Sequence, residues 1–267
     1  MPSLIRFLAN PNMCRMKTIA IIPARYSSTR FPGKPLALLD GKPMIQWVWE
    51  RVSVMPELSA AIVATDDARI ISAVESFGGR AQMTSMHHKS GTDRCGEVLH
   101  ALESQGEHYD VVINVQGDEP FTRSEQLQSL IHSFDDSDTQ IATLKKPITD
   151  VEELISPNNV KVISNAAGQA LYFSRQPIPY VRGTEVEHWL EKQHYFKHVG
   201  IYAFRSQVLK EVVELQQTPL EISESLEQLR WLENGYSIKV CETQVQNIGI
   251  DTPEDLAAAE AYLLQQK

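Results

Sequence analysis

Residues 18–36 read TIAIIPARYSSTRFPGKPL, an apolar run that changes abruptly into a basic, proline-rich loop. Residues 18–22 are rich in β-branched side chains and show no polar alternation, which predicts a strand buried on both faces of a parallel sheet. The loop that follows carries three positive charges, from Arg25, Arg30 and Lys34, and its prolines restrict the backbone. Open α/β sheets bind ligands in loops of this kind, which leave the carboxyl ends of parallel strands.

The charges of this loop suit phosphate. Each arginine can donate two parallel hydrogen bonds to phosphate oxygens, and Lys34 supplies a point charge. The loop contains neither G-x-x-x-x-G-K-[ST] nor G-x-G-x-x-G, so it is neither a Walker loop nor a dinucleotide fingerprint. A single arginine or lysine in a loop can be merely solvated, but three in one stiff loop favour a phosphate site of another type.

Composition limits the classes of protein that fit. A chain of 267 residues, 42% hydrophobic and 22% charged, can bury one substantial core, either as one domain or as a large domain with a smaller lobe. The net charge of −9 argues against a nucleic-acid partner, and no apolar run is long enough for a bilayer. Three widely separated cysteines, Cys14, Cys95 and Cys241, lack metal-ligand spacing and suit a reducing, cytoplasmic compartment. We expect residues 1–15 to be a disordered extension.

The order of apolar runs predicts the fold. Strand-like runs alternate with helical periodicity in the first half of the chain, which predicts a mostly parallel central sheet with helices on both faces. After about residue 121 the runs become shorter and are divided by polar turns, which favours antiparallel pairing. The sequence therefore predicts an α/β, Rossmann-like fold into which a smaller α+β lobe, about residues 121–205, is inserted. The predicted strands that follow residues 18–22 are 60–64, 80–84, 111–115, 141–144, 160–163, 170–173, 237–241 and 245–250. The predicted helices are 43–52, 68–77, 90–103, 124–134 and 224–230.

Two polar segments follow predicted strands. Residues 90–94 read SGTDR, in which Ser90 and Asp93 form a predicted capping box. The same helix start can present free backbone N–H groups to a base or a phosphate. Asp66 and the aspartate after it follow the strand at 60–64, where acids at a helix N-terminus are favoured by the dipole. His87 and its neighbour His88 are adjacent loop histidines, which are more often solvated than bound to metal.

Two aspartates stand at strand ends. The strand at 111–115 is followed by QGDEP, and Asp118 in this segment can hold Mg²⁺ against phosphate oxygens, because magnesium needs only one or two carboxylates. The alternative is a turn aspartate. Near the C-terminus, DTPEDL begins at Asp251, and Thr252 as N-cap with Pro253 after it accounts for a helix start. Asp251 itself has no role in that start.

The second half contains further motifs, SRQPIP at 174–179, HVGIY at 198–202 and ESLEQLR at 224–230. The last of them predicts an amphipathic surface helix. His194 and His198 are four residues apart, but a zinc pair is not favoured, because H-E-x-x-H is absent and a strand-like run follows at once.

These segments, in this order, resemble the 3-deoxy-manno-octulosonate cytidylyltransferase family, also called CMP-Kdo synthetases, over nearly the whole chain from Met16. The resemblance implies a nucleotide-diphospho-sugar transferase fold, with residues 16–267 as one nucleotidyltransferase domain. It implies an enzyme of lipopolysaccharide biosynthesis that couples CTP to the sugar acid Kdo, releases pyrophosphate and requires Mg²⁺. It also implies a homodimer, with the lobe binding the sugar and forming the subunit interface.

The resemblance also implies roles for individual residues. The catalytic residues would be Arg25, Lys34, Asp118 and Asp251, and the two aspartates would hold Mg²⁺. The nucleotide contacts would be Pro23, Ala24, Arg25, Ser28, Arg30, Lys34, Thr65, Asp66, Ser90, Gly91, Thr92 and Arg94. The sugar contacts would be Gln116, Arg175, His198, Tyr202, Glu227 and Gln228.

Two alternatives stay open on the sequence. One is a cytidylyltransferase for a related sugar acid, such as 8-amino-Kdo or a sialic acid, which the sugar-binding lobe would decide. Departures from the family pattern at Ser27, Phe31 and Asp93 leave the detail of sugar selection open. The other is a non-catalytic nucleotide-binding protein, which we would expect to lack a metal aspartate or an arginine of the loop.

Overall fold

A nine-stranded mixed sheet forms the centre of the computed structural model, which describes residues 16–28, 30–245 and 248–266. The predicted extension of residues 1–15 lies outside the described residues. The strands are β1 (Thr18–Pro23), β2 (Leu38–Leu39), β3 (Lys42–Pro43), β4 (Leu58–Thr65), β5 (Arg80–Met83), β6 (Val111–Asn114), β7 (Ile141–Ile148), β8 (Lys161–Ser164), β9 (Ala170–Ser174), β10 (Tyr195–Arg205) and β11 (Ile238–Glu242). The helices are α1 (Met44–Ser53), α2 (Ala68–Ser76), α3 (Gly91–Ser104), α4 (Ser124–Ser133), α5 (Val151–Ile155), α6 (Trp189–Lys192), α7 (Ser206–Val212), α8 (Pro219–Glu224), α9 (Glu227–Glu233) and α10 (Pro253–Gln266).

The main path of the sheet has the order β11-β7-β10-β6-β1-β4-β5. β1 pairs in parallel with β4 and β6, β4 with β5, and β11 with β7, whereas β10 is antiparallel to both its neighbours. β8 pairs with β10 and with β9, so these two strands extend the central sheet. β2 and β3 form a small separate hairpin. The predicted α/β fold with a mostly parallel sheet is therefore confirmed.

β1 is buried on both faces, as its unbroken apolar run predicts. Ile19 and Ile21 face a cluster that includes α3, α7 and α9, while Ala20 and Ile22 face a second cluster with α1, α2 and α4. Each fully buried isoleucine contributes about 2 kcal/mol relative to an exposed one. Helices thus cover both faces, and the polar groups that follow β1, β4 and β6 are left at one edge, because parallel strands end on the same side.

The predicted lobe of residues 121–205 is narrower in the structure. α4 packs in the second core cluster through Leu127 and Leu130, and β7 and β10 are strands of the central sheet. The peripheral part consists of α5, β8, β9 and α6, with a small cluster of its own that includes Leu154 and Trp189. Its roles in sugar binding and in dimer formation remain predictions.

Two predicted elements differ in the structure. The helix predicted at 224–230 is divided, because α8 ends at Glu224 and Ser225 adopts a left-handed backbone with φ of 52° before α9 begins. The strand predicted at 245–250 does not form over its described residues: the amide of Ile250 donates instead to the carbonyl of Asp118 at 3.0 Å. No helix in the described parts of the chain has both the length and the apolar character to cross a membrane.

Candidate active site

A cleft of about 260 Å³ opens at the carboxyl edge of β1 and β6. It brings together the basic loop after β1, the start of α3, the turn after β6 and the segment before α10. Its lining residues are Pro23, Ala24, Arg25, Ser28, Arg30, Lys34, Pro35, His88, Lys89, Ser90, Gly91, Arg94, Gln116, Gly117, Asp118 and Asp251. Nine of the predicted nucleotide contacts are among them.

Gly117 allows the turn after β6 to lie directly against the basic loop. A Cβ atom at this position would come within 2.6 Å of the carbonyl oxygen of Pro23, which is closer than any real side chain tolerates. The adjacent Asp118 is therefore carried next to the cations of the loop. The amide of Ile250 fixes the other side of the turn, which also brings Asp251 to the cleft.

Lys34 lies between the two predicted metal aspartates. Its Nζ is 2.7 Å from Asp118 Oδ2 and 3.0 Å from Asp251 Oδ1, and its side chain is only 13% exposed. Arg30 also contacts Asp251, at 3.1 Å. The two carboxylates are far apart in sequence, so only the fold places them on one ammonium group.

The two aspartates fit a magnesium site completed by a ligand. Both present carboxylate oxygens to the same point, and oxygen is the ligand that Mg²⁺ prefers. Among the described residues no group of three or more His, Cys, Asp or Glu side chains could hold a metal ion. The two carboxylates of Asp118 and Asp251 are therefore sufficient only for an ion that takes most of its ligands from phosphate and water, as magnesium commonly does.

The start of α3 forms a second wall of the cleft and has the predicted capping box. Ser90 Oγ accepts the amide of Asp93 at 3.1 Å, and Asp93 Oδ2 accepts the amide of Ser90 at 3.1 Å. The cap fixes where this long helix begins. Its N-terminal dipole then favours an anion in the cleft, beside Gly91.

Thr65 and Asp66 stand behind the cleft instead of lining it. Arg94, which does line it, is 4% exposed and donates through Nη2 to Asp66 Oδ2 at 3.0 Å. Its Nη1 donates to Thr84, whose hydroxyl donates to the carbonyl of Thr65 at 3.0 Å. This network ties the ends of β4 and β5 to α3. A structural role thus accounts for Asp66, and its predicted nucleotide contact stays a prediction.

Of the predicted sugar contacts, Gln116 alone lines the cleft, and its Nε2 donates to the carbonyl of Gly200 at 3.2 Å. His198 and Tyr202 lie on β10 in an aromatic cluster, with ring centroids 5.2 Å apart. Tyr202 pairs with Asn114 at the end of β6, one strand position from the turn. Burial raises the pKa of the Tyr202 hydroxyl well above its ordinary value.

His198 is held as a neutral ring. His198 Nε2 forms a hydrogen bond with Thr143 Oγ1 at 2.8 Å, and that hydroxyl is also 2.9 Å from the carbonyl oxygen of Ile201. Burial lowers the pKa of His198 to about 3, which keeps the ring neutral at pH 7.

Glu227 and Gln228 open α9, and Gln228 is 4% exposed. The carboxylate of Glu227 accepts the hydroxyl of Thr92 at 2.8 Å, so Thr92, predicted to contact the nucleotide, is turned away from the cleft. Burial raises the pKa of Glu227, and hydrogen bonds from Ser90 and Thr92 partly offset that effect.

Arg175 stabilises the turn between α8 and α9. Its guanidinium donates to the carbonyls of Glu224 at 2.7 Å, Pro157 at 3.1 Å and Ser225 at 3.2 Å. These bonds account for three of its five N–H groups. A sugar contact from Arg175 remains a prediction.

Four lining residues were not predicted from the sequence, namely Pro35, His88, Lys89 and Gly117. Pro35, Lys89 and Gly117 are neighbours in sequence of predicted site residues, which is the signal that could have found them. The solvated interpretation of His88 was wrong. Its Nε2 contacts the carboxylate of Glu97, whose Oε2 also accepts the amide of Ser85 at 2.8 Å, and this partner on α3 cannot be read from the sequence.

Comparison with known proteins gives the family. The model of the Cytidylyltransferase family matches residues 19–240. A protein of Phocaeicola vulgatus named 3-deoxy-manno-octulosonate cytidylyltransferase is 58% identical over 255 residues, covering 94% of this chain and 99% of the relative. A protein of the same name from Parabacteroides distasonis is 55% identical over 252 residues, covering 93% and 98%. The chain belongs to the 3-deoxy-manno-octulosonate cytidylyltransferase family.

The fold of this chain is also similar to that of a solved structure from this family. A structure of CMP:2-keto-3-deoxy-manno-octonic acid synthetase in complex with CTP superposes with a TM-score of 0.86 at 44% identity, covering 94% of this chain and all of that one. The 4-diphosphocytidyl-2C-methyl-D-erythritol synthase of Anaerococcus prevotii has a TM-score of 0.60 at 18% identity, a likeness of fold alone. The chain is thus a nucleotidyltransferase with the Rossmann-like fold of this cytidylyltransferase family.

Proposed function

We propose that this 3-deoxy-manno-octulosonate cytidylyltransferase activates Kdo with CTP to give CMP-Kdo and pyrophosphate, for lipopolysaccharide biosynthesis. The observation that carries the proposal is the position of Lys34, with its ammonium between Asp118 and Asp251 in a cleft that Arg25 and Arg30 also line. Cations for a triphosphate and carboxylates for its metal ion meet there at one point.

The reaction needs one displacement at phosphorus. The anomeric hydroxyl oxygen of Kdo forms a bond to the α-phosphorus of CTP, the bond from that phosphorus to the bridging oxygen breaks, and pyrophosphate leaves with the electron pair. The hydroxyl proton passes to water. Arg25, Arg30 and Lys34 offset the negative charge on the phosphate oxygens, and the N-terminus of α3 adds its dipole.

Asp118 and Asp251 would hold Mg²⁺ in this site, as their shared position allows. When bound, the metal ion supplies positive charge at the phosphate oxygens. Lys34 contacts both carboxylates and Arg30 contacts that of Asp251, so the two cations keep the carboxylates oriented toward the cleft.

Gln116, His198, Tyr202, Glu227 and Gln228 are the proposed sugar contacts. They extend from the cleft along β10 to the start of α9. The neutral His198 ring and the Glu227 carboxylate offer acceptors to sugar hydroxyls, while the amides of Gln116 and Gln228 offer donors. We also propose a cytoplasmic homodimer in which the peripheral part of the lobe supplies the subunit contact.

The test is pyrophosphate release from CTP and Mg²⁺ with Kdo, 8-amino-Kdo or N-acetylneuraminate, with ATP, GTP and UTP as nucleotide controls. Release with CTP and Kdo supports the proposal. Release only with 8-amino-Kdo or N-acetylneuraminate would keep the phosphate and metal assignments and overturn the sugar assignment. CTP binding without release from any acid would favour a non-catalytic nucleotide-binding protein.

A further inference from the structure

Thr92 makes a contact that its predicted role in nucleotide binding does not explain. It is the second residue of α3, is 2% exposed and lies outside the lining of the cleft. Its Oγ1 donates to Glu227 Oε2 at 2.8 Å, across 135 positions of sequence. The bond joins the helix start that faces the nucleotide to the first residue of α9.

The second oxygen of Glu227 is held as well. Arg230 Nη2 donates to Glu227 Oε1 at 3.0 Å, and Arg230 is itself 8% exposed. Its guanidinium is fixed by the carbonyl of Leu215 at 2.9 Å and by Glu221 Oε2 at 3.3 Å. Donors from Thr92, Arg230 and Ser90 therefore set the orientation of one carboxylate. Hydrogen bonds to a charged group are the stronger kind and restrict geometry accordingly.

We propose that Thr92 is a positioning residue for the sugar substrate, which acts by fixing the carboxylate of Glu227. The proposal rests on the proposed function, since Glu227 is a sugar contact there. Without the Thr92 hydroxyl, the carboxylate loses one of its donors and the side chain can leave the orientation that meets the sugar. The binding free energy that is lost is the same for the bound sugar and for the transition state. Its loss therefore raises KM for the sugar and leaves kcat nearly unchanged.

The principal variant is Thr92→Val, which keeps the shape and removes the donor. We expect KM for Kdo to rise about tenfold, the effect of losing one hydrogen bond to a charged group, with KM for CTP within about twofold. Thr92→Ser restores the hydroxyl and should restore KM for Kdo. Thr139→Val is the matched control, because Thr139 is 1% exposed and its Oγ1 has no hydrogen-bond partner within the described part of the chain.

A double-mutant cycle with Glu227→Ala, which removes the acceptor of the Thr92 hydroxyl, decides whether Thr92 acts through Glu227. The double variant should bind Kdo no worse than Glu227→Ala alone, because the Thr92 hydroxyl has then lost its acceptor. The proposal would be overturned if the rises in KM for Kdo of the two single variants multiplied in the double variant. A rise in KM for CTP as large as that for Kdo would also overturn it. Equal melting temperatures for Thr92→Val and Thr139→Val show that the fold is intact, and Thr92→Ala replaces a valine variant that does not fold.

The wild-type protein in the same assay separates this proposal from the one on which it rests. Wild-type protein that gives no Kdo-dependent release overturns the proposed function, and the role of Thr92 with it. Wild-type protein that turns over Kdo, together with a Thr92→Val variant whose KM for Kdo is unchanged, overturns the role of Thr92 alone.

Discussion

At the scale of single residues, the site works by placing unlike charges at one point. Lys34 is nearly buried, yet it satisfies its ammonium with Asp118 and Asp251. Each of these three residues comes from a different segment, and each follows a buried strand or precedes a helix whose position the core fixes. A change of charge at any of them should therefore alter chemistry more than stability.

Asp118→Asn tests the metal assignment. Asparagine keeps the shape of the turn after β6 but removes the charge, so we expect the fold to persist and kcat to fall about 100-fold or more at saturating Mg²⁺. Initial rates of pyrophosphate release measure the effect, and circular dichroism checks the fold. Asp138→Asn, at an exposed loop residue, is the control. Normal turnover in the Asp118 variant would remove Asp118 from the metal site.

His198 predicts a pH dependence of stability. Its pKa is about 3 in the folded protein because of burial, against 6.5 for an ordinary histidine. The unfolded chain therefore binds the proton first, and stability is lost as pH falls below about 6.5. From pH 7.5 to 5 this single group should remove about 2 kcal/mol from the free energy of unfolding.

Urea unfolding at pH 7.5, 6 and 5 compares wild type with His198→Gln. The glutamine variant should lose about 2 kcal/mol less over this interval, since it has no ring to protonate. His100→Gln, at an exposed position of α3, should follow the wild-type curve. Parallel curves for the His198 variant and wild type would contradict a buried neutral ring.

At the scale of elements, most residues that line the cleft could be predicted from the sequence, whereas the contacts around β10 and α9 could not. The basic loop and the capping box at Ser90 are local, because every residue that defines them lies within a few positions. The contact between Thr92 and Glu227 joins two helices across 135 positions of sequence, which no short motif encodes. For the same reason, the turn between α8 and α9 could not be predicted from the sequence.

Ser225 makes that turn and carries the next prediction. Its φ of 52° places it in the left-handed region, which costs a side chain with a branched Cβ more than serine. We expect Ser225→Val to lower the free energy of unfolding by at least about 1 kcal/mol, and Ser225→Gly to leave it within about 1 kcal/mol. Chemical denaturation measures both. Ser137→Val, in an exposed loop with ordinary φ, should change stability little, and an equal loss there would contradict backbone strain at Ser225.

At the scale of the whole molecule, a net charge of −9 and an anionic substrate are compatible because the cations are concentrated. Sequence alone predicted this class of substrate from three charges in one loop. The sequence alone did not predict that α10 packs against the basic loop. α10 packs through Leu256 and Tyr262 into a cluster that also contains Phe31 of the basic loop and Phe121 after β6. Tyr262 meets Phe121 edge-on, with ring centroids 5.1 Å apart.

We expect this packing to link nucleotide binding to the order of the C-terminal segment. Opening of α10 would carry away Asp251 and loosen Phe31, so a ligand held by Asp251 and Arg30 binds the closed form only. At one hundred times its Kd, CTP with Mg²⁺ should stabilise that form by about 2.7 kcal/mol and slow amide exchange in α10 about 100-fold. Hydrogen exchange read by mass spectrometry should show this slowing in residues 248–266 and little in β8 and β9. In Asp251→Asn, at concentrations that still saturate the nucleotide site, α10 should exchange nearly as fast as in the free protein. Equal slowing in both regions would mean that the nucleotide stabilises the fold as one unit, and that α10 does not close on the site by itself.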